Sequence, residues 1–213
     1  MIVDYPDLRN QLNKKVSSGV ISAHEAKTWY DSYAKLKSCN RCDLRETCNQ
    51  AVWGAGNLKA TVLFVGEAPG PKEDIHGLPF YGTAGRFFQK CMGKAGFKKG
   101  DSFMTYICKC RPPENRPPTK QEWGTCFTYT WNQLEVINPK LIVAVGATAL
   151  QALVPKVKKK LGGVRGQIIP SYGFSIIPVW HPSYVLSQQS ELRRREMVKD
   201  LKIAFDYAFP ERV

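Results

Sequence analysis

Two groups of residues in this chain have types and spacing suited to chemistry. The first is a set of thiols. Cys39 and Cys42 form a C-x-x-C pair, and Cys110 and Cys126 are separated by fifteen residues. Two plus two thiolates suit either zinc or a [4Fe–4S] cluster, since both accept four cysteine ligands, and spacing does not choose between them. Cys48, in the local run C-x-x-C-x-x-x-x-x-C, is a rival ligand, whereas Cys91 and Cys108 fall within apolar stretches and read as core residues. The total of seven cysteines is odd, which argues against a disulfide framework. The second group combines acids, a histidine and glycines. GEAPG (66–70) carries Glu67 between glycines that let main chain approach a ligand closely, Glu73 and Asp74 follow, and His181 opens HPSY.

The elements that must position these residues are legible in the hydrophobic pattern. Four short, nearly continuous apolar runs, TVLFVG (61–66), FMTYIC (103–108), LIVAVG (141–146) and SIIPVW (175–180), have the character of strands covered on both faces. Helical stretches at 83–95, 119–137, 147–153 and 190–208 separate or follow them. The alternation predicts an α/β fold, a three-layer sandwich around a central four-stranded parallel sheet. In such folds ligands bind beyond the carboxyl ends of the strands. GEAPG, KCRPPENRPP, GATAL and HPSY each lie at such an end. Residues 1–38 form a polar helical extension, in which Ser22 caps the segment SAHEAKTWYDSYAKLK, and 39–213 form the main domain.

Bulk properties narrow the partners. Lys and Arg number 31 against 18 Asp and Glu, a net charge of +13, which favours a polyanion. Anionic membranes and acidic proteins would also answer to charge alone. No apolar run approaches the length of a membrane span, and the N-terminus lacks a signal peptide's apolar centre, so a cytoplasmic protein is expected.

Taken together, GEAPGPKEDIHGLPFYGTAG, KCRPPENRPP with a second Cys sixteen residues after its own, and HPSYVL resemble, in this order, the motifs of the family 4 (iron–sulfur) uracil-DNA glycosylases. The resemblance runs from about Cys39 to Leu186. It implies a DNA glycosylase that extrudes a base and hydrolyses its N-glycosidic bond, acting on double- or single-stranded DNA as a monomer, without a membrane. It implies a [4Fe–4S] cluster held by Cys39, Cys42, Cys110 and Cys126. It implies a base pocket lined by Gly66, Glu67 and Ala68, with Phe80 as the stacking ring. His181 then donates to the departing base, and Glu67, with Glu73 as a candidate for the water, supplies the acid.

One position departs from the pattern. Where the family carries an Asn that reads uracil, four residues before the Cys of KCRPP, this chain has Tyr106. A phenol offers one hydroxyl in place of a two-headed amide. The favoured expectation is therefore a modified or non-uracil base. Weak reading of uracil, in base-excision repair, and a catalytically silent DNA-binding or sensing protein are the alternatives. Repair and defence against phages with modified cytosines are both open settings. Lys158, Lys159, Lys160 and Arg165, in the loop KVKKKLGGVRGQ, are expected to contact phosphates. Tyr184, Val185 and Leu186, just after His181, are expected to enter the DNA as a wedge.

Overall fold

The computed structural model describes residues 8–98 and 100–213. The amino-terminal end of the predicted extension, 1–7, lies outside the described residues. The chain forms helices α1 (Leu8–Ser17), α2 (Ala23–Lys37) and α3 (Leu44–Thr47), then strands β1 (Ala55–Gly56) and β2 (Val62–Gly66). Helices α4 (Pro71–His76) and α5 (Thr83–Ala95) precede β3 (Ser102–Tyr106), and α6 (Lys120–Ile137) precedes β4 (Leu141–Val145). Then come α7 (Ala147–Leu153), β5 (Ile169–Ser171), β6 (Phe174–Val179), α8 (Pro182–Ser187) and α9 (Glu191–Ala208).

The sheet has six strands in the order β1-β3-β2-β4-β6-β5. Its centre, β3-β2-β4-β6, is the expected parallel set of four. The two outer strands are additions that the sequence reading did not anticipate. Both are antiparallel and only two or three residues long, too short for a hydrophobic pattern to mark.

Alternation along the buried strands feeds two cores. Leu63, Val65, Ile142 and Ala144 pack on one side of the sheet with Leu134, Leu150 and Leu153. Phe64, Val143, Val145 and Ile177 pack on the other with Phe88, Met197, Leu201 and Phe205. Helices thus cover both faces, the condition for parallel strands that are nearly continuously apolar. Trp29 of α2 is 2% exposed and meets Trp53 and Phe103 edge-on at 5.2 and 5.3 Å, so α2 shares the first core. The helix starts follow their local signals. Ser22 caps α2 with Glu25 in a reciprocal capping box, and Thr119 does the same for α6 with Glu122. Among the described residues, no helix is long and apolar enough to cross a membrane.

Candidate active site

Parallel register brings the strand ends side by side. Gly66 pairs with Tyr106, and Val145 with Val179. The residues just beyond these ends enclose a cavity of about 510 Å³ whose wall includes Glu67, Glu73, Phe80, Tyr106, Arg116 and His181. Five of these six were expected there from the sequence. Arg116 was not. It belongs to the loop after β3, where both its terminal nitrogens bind Glu122, at 2.8 and 2.6 Å. Its place in RPPENRPP was the available signal.

His181 follows β6 and caps α8. Its Nδ1 accepts the backbone N–H of Ser183 at 3.3 Å and lies 2.6 Å from the Ser183 hydroxyl. Burial lowers its pKa to about 4, so the ring is neutral near pH 7. An accepting Nδ1 assigns the proton to Nε2, leaving a donor. Gly146, with φ +95°, lets the β4–α7 turn close on this ring; a Cβ there would stand 3.1 Å from His181 Cδ2.

The three candidate acids are held differently. Glu67 is half-buried, and its Oε2 accepts the hydroxyl hydrogen of Thr148. Glu73 is buried, and its Oε1 accepts the N–H of Gly82 at 2.7 Å, bracing the start of α5. Asp74 turns away to accept from the Asn49 backbone at 2.9 Å and its amide at 2.6 Å, tying α4 to the segment after the cysteine loop.

Tyr106 is buried at the cavity wall. The hydroxyl oxygen accepts the Phe80 N–H at 2.8 Å, and the ring stacks with Phe80 at 5.1 Å and 27°. Phe88 also stacks with Phe80, at 5.3 Å and 25°. Phe80, with φ +52° and 2% exposure, lines the cavity from within this stack. Gly66 lies beneath these rings; a Cβ there would come within 2.8 Å of the Tyr106 ring. Ala68 lines the cavity as expected.

A second cavity of about 790 Å³ adjoins the first, sharing Glu67, His181 and Ser183. Lys158, Lys159 and Lys160 line it together with Trp180 and Tyr184. These three lysines are exposed and take part in none of the ion pairs found among the described residues. Two other expected DNA contacts are corrected by the packing. Arg165 is turned inward, 2.9 Å from Asp200 and 5.8 Å over the Trp180 ring, because Asp200 is buried on α9 and needs a counter-charge. Val185 is fully buried in the second core, since α8 directs it towards the sheet. Tyr184 is 37% exposed and Leu186 is half-buried.

The thiols converge from three segments. Cys42 lies within electrostatic reach of Cys39 and Cys126, and Cys110 within reach of Cys126 and Cys48. The Lys109 backbone N–H donates to Cys126 Sγ at 3.2 Å. Among the described residues, no three His, Cys, Asp or Glu side chains surround one centre as a single bound ion requires.

Comparison with known proteins bears on this frame directly. The family profile of the Uracil DNA glycosylase superfamily matches residues 53–202, the segment that holds the whole cavity. The chain belongs to this superfamily. Within it, the similarity is to the type-4 branch. A type-4 uracil-DNA glycosylase of Thermotoga maritima is 40% identical over 171 residues, covering 80% of this chain and 89% of that protein. Those of Pyrobaculum aerophilum and Archaeoglobus fulgidus are 37% and 36% identical, over 80% and 81% of this chain and 89% of each relative. This superfamily member is thus a hydrolytic DNA glycosylase, similar to the type-4 enzymes.

Proposed function

We propose that this enzyme removes a base other than uracil from DNA and leaves an abasic site. The observation that carries the reading is Tyr106. Its hydroxyl oxygen accepts the Phe80 N–H and its ring joins the Phe80 stack, and a phenol at the end of β3 lacks the two-headed amide that would pair with the uracil edge. A cavity of about 510 Å³ containing Glu67 and His181 persists in front of it, which favours an altered pocket over a silent one.

The extruded base enters this cavity against the main chain of Gly66, Glu67 and Ala68. Neutral His181 donates from Nε2 to the carbonyl oxygen of the departing base, stabilising negative charge where water is scarce. Glu67 faces the sugar as cationic character develops. Glu73 is the candidate for holding the attacking water, through the carboxylate oxygen that Gly82 does not occupy. Lys158, Lys159 and Lys160 take backbone phosphates, and Tyr184 and Leu186 fill the space the base vacates. The enzyme acts as a monomer on cytoplasmic, nucleoid DNA.

Cys39, Cys42, Cys110 and Cys126 would hold a [4Fe–4S] cluster. Its contribution when bound is structural, joining the cysteine loop to β3 and α6. The donor set fits. In a cubane each thiolate binds a different iron, so its ligands need not surround one centre, and a backbone N–H already points at one sulfur.

The test is base release measured by mass spectrometry. Duplex and single-stranded DNAs would carry uracil, hypoxanthine, or hydroxymethylated or glucosylated pyrimidines. Release of a non-uracil base in preference to uracil is expected, and Tyr106→Asn should raise uracil excision. Release of none of these bases by the wild-type protein would favour a silent DNA-binding role. An unchanged profile in Tyr106→Asn would locate base reading elsewhere.

A further inference from the structure

The turn after β4, GATAL (146–150), touches both His181 and Glu67. Gly146 packs under the His181 ring. Two residues on, Thr148 is buried in the first turn of α7 and donates its hydroxyl hydrogen to Glu67 Oε2. Glu67 lines both cavities, so its carboxylate stands at their junction with Oε2 fixed and Oε1 making no hydrogen bond among the described residues.

We infer that Thr148 is a positioning residue for the reaction: its hydroxyl clamps Glu67 Oε2 so that Oε1 faces the sugar of the extruded nucleotide. A glutamate has three rotatable bonds, and holding one oxygen removes most of that freedom before substrate arrives. The carboxylate then meets the developing sugar cation without reorganising, which is where preorganised charge acts most strongly. Gly146 serves the same turn by admitting His181, so one segment holds both the acid and the donor. This inference rests on Glu67 being the acid of the reaction.

Thr148→Val removes the hydroxyl and keeps the shape. Single-turnover and steady-state base release would be measured on whichever panel duplex the wild type cleaves fastest. The expected result is a kcat loss of about ten- to a hundredfold, KM for DNA changing less than about twofold, and recovery to within about threefold in Thr148→Ser. A second readout needs no knowledge of the target base. Binding is compared between a duplex with a cationic pyrrolidine abasic analogue and one with a neutral tetrahydrofuran analogue. The wild type should prefer the cation, and Thr148→Val should lose most of that preference while its melting temperature stays near the wild-type value. If Glu67→Gln abolishes the preference and Thr148→Val keeps both preference and kcat, the clamp is wrong. If Glu67→Gln itself keeps both, the assignment of Glu67 fails and the clamp with it.

Discussion

At His181, residue type alone is ambiguous and surroundings decide the chemistry. Burial lowers its pKa from the ordinary 6.5 to about 4, and its Nδ1 accepts from Ser183. The neutral donor therefore persists well below the usual histidine range. The pH profile of base release should show no loss attributable to this imidazole between pH 6.5 and about 4; an acid limb near 6.5 that disappears in His181→Ala would contradict it. His181→Ala should slow cleavage much more than it weakens DNA binding, and equal losses would mark a structural role. The histidine and its Pro-Ser sequel were legible from HPSY at a strand end, whereas its protonation state was not, because burial is a property of the surrounding fold. Tyr106 divides in the same way. Its departure from the family pattern was visible in one letter, but the hydrogen bond that its hydroxyl oxygen accepts from Phe80 N–H joins residues 26 positions apart.

Helix α6 carries Cys126 and, through the partner of its Glu122, Arg116, reaches the cavity lip, so its first turn carries a testable charge. Glu122 accepts the Thr119 backbone N–H at 2.6 Å and pairs with Arg116, and the Arg116 hydrogen bond lowers its pKa from 4.5 to about 2. A carboxylate with a depressed folded pKa contributes stability above its unfolded value, and that contribution is lost as pH falls through the folded value. Thermal stability should therefore decline on acidification between about 4.5 and 2 through this group. Glu122→Gln should flatten that part of the melting-temperature profile, and an unchanged slope would remove Glu122 from the account. Thr119 and Glu122 mark the helix start in the sequence as T-x-x-E, a local signal that the structure retains. The edge strands β1 and β5 had no such signal. They exist because β3 and β6 offer free edges, a tertiary circumstance.

For the molecule as a whole, the thiols come from segments that are distant in the chain: the loop after α2, the segment after β3 and the body of α6. A brown protein with iron by elemental analysis is expected, and removing the metal with a chelator should lower the melting temperature. Zinc without iron would overturn the cluster assignment. Net charge needs similar care at this scale. Lys109 is fully buried, with Nζ donating to Thr105 Oγ1, the Tyr106 carbonyl and Gln133 Oε1 at 2.6, 2.7 and 2.8 Å, so it adds nothing to a DNA-facing surface. The sequence by itself determined the parallel α/β core, the strand ends that carry the motifs and the family, because these follow from hydrophobic period and from short motifs in fixed order. Only the tertiary structure decided that Arg165 and Val185 turn inward, that Thr148 holds Glu67 and that Tyr106 closes over Phe80. Each of these depends on which atoms approach across the fold, and neither charge nor hydropathy read along a chain contains that information.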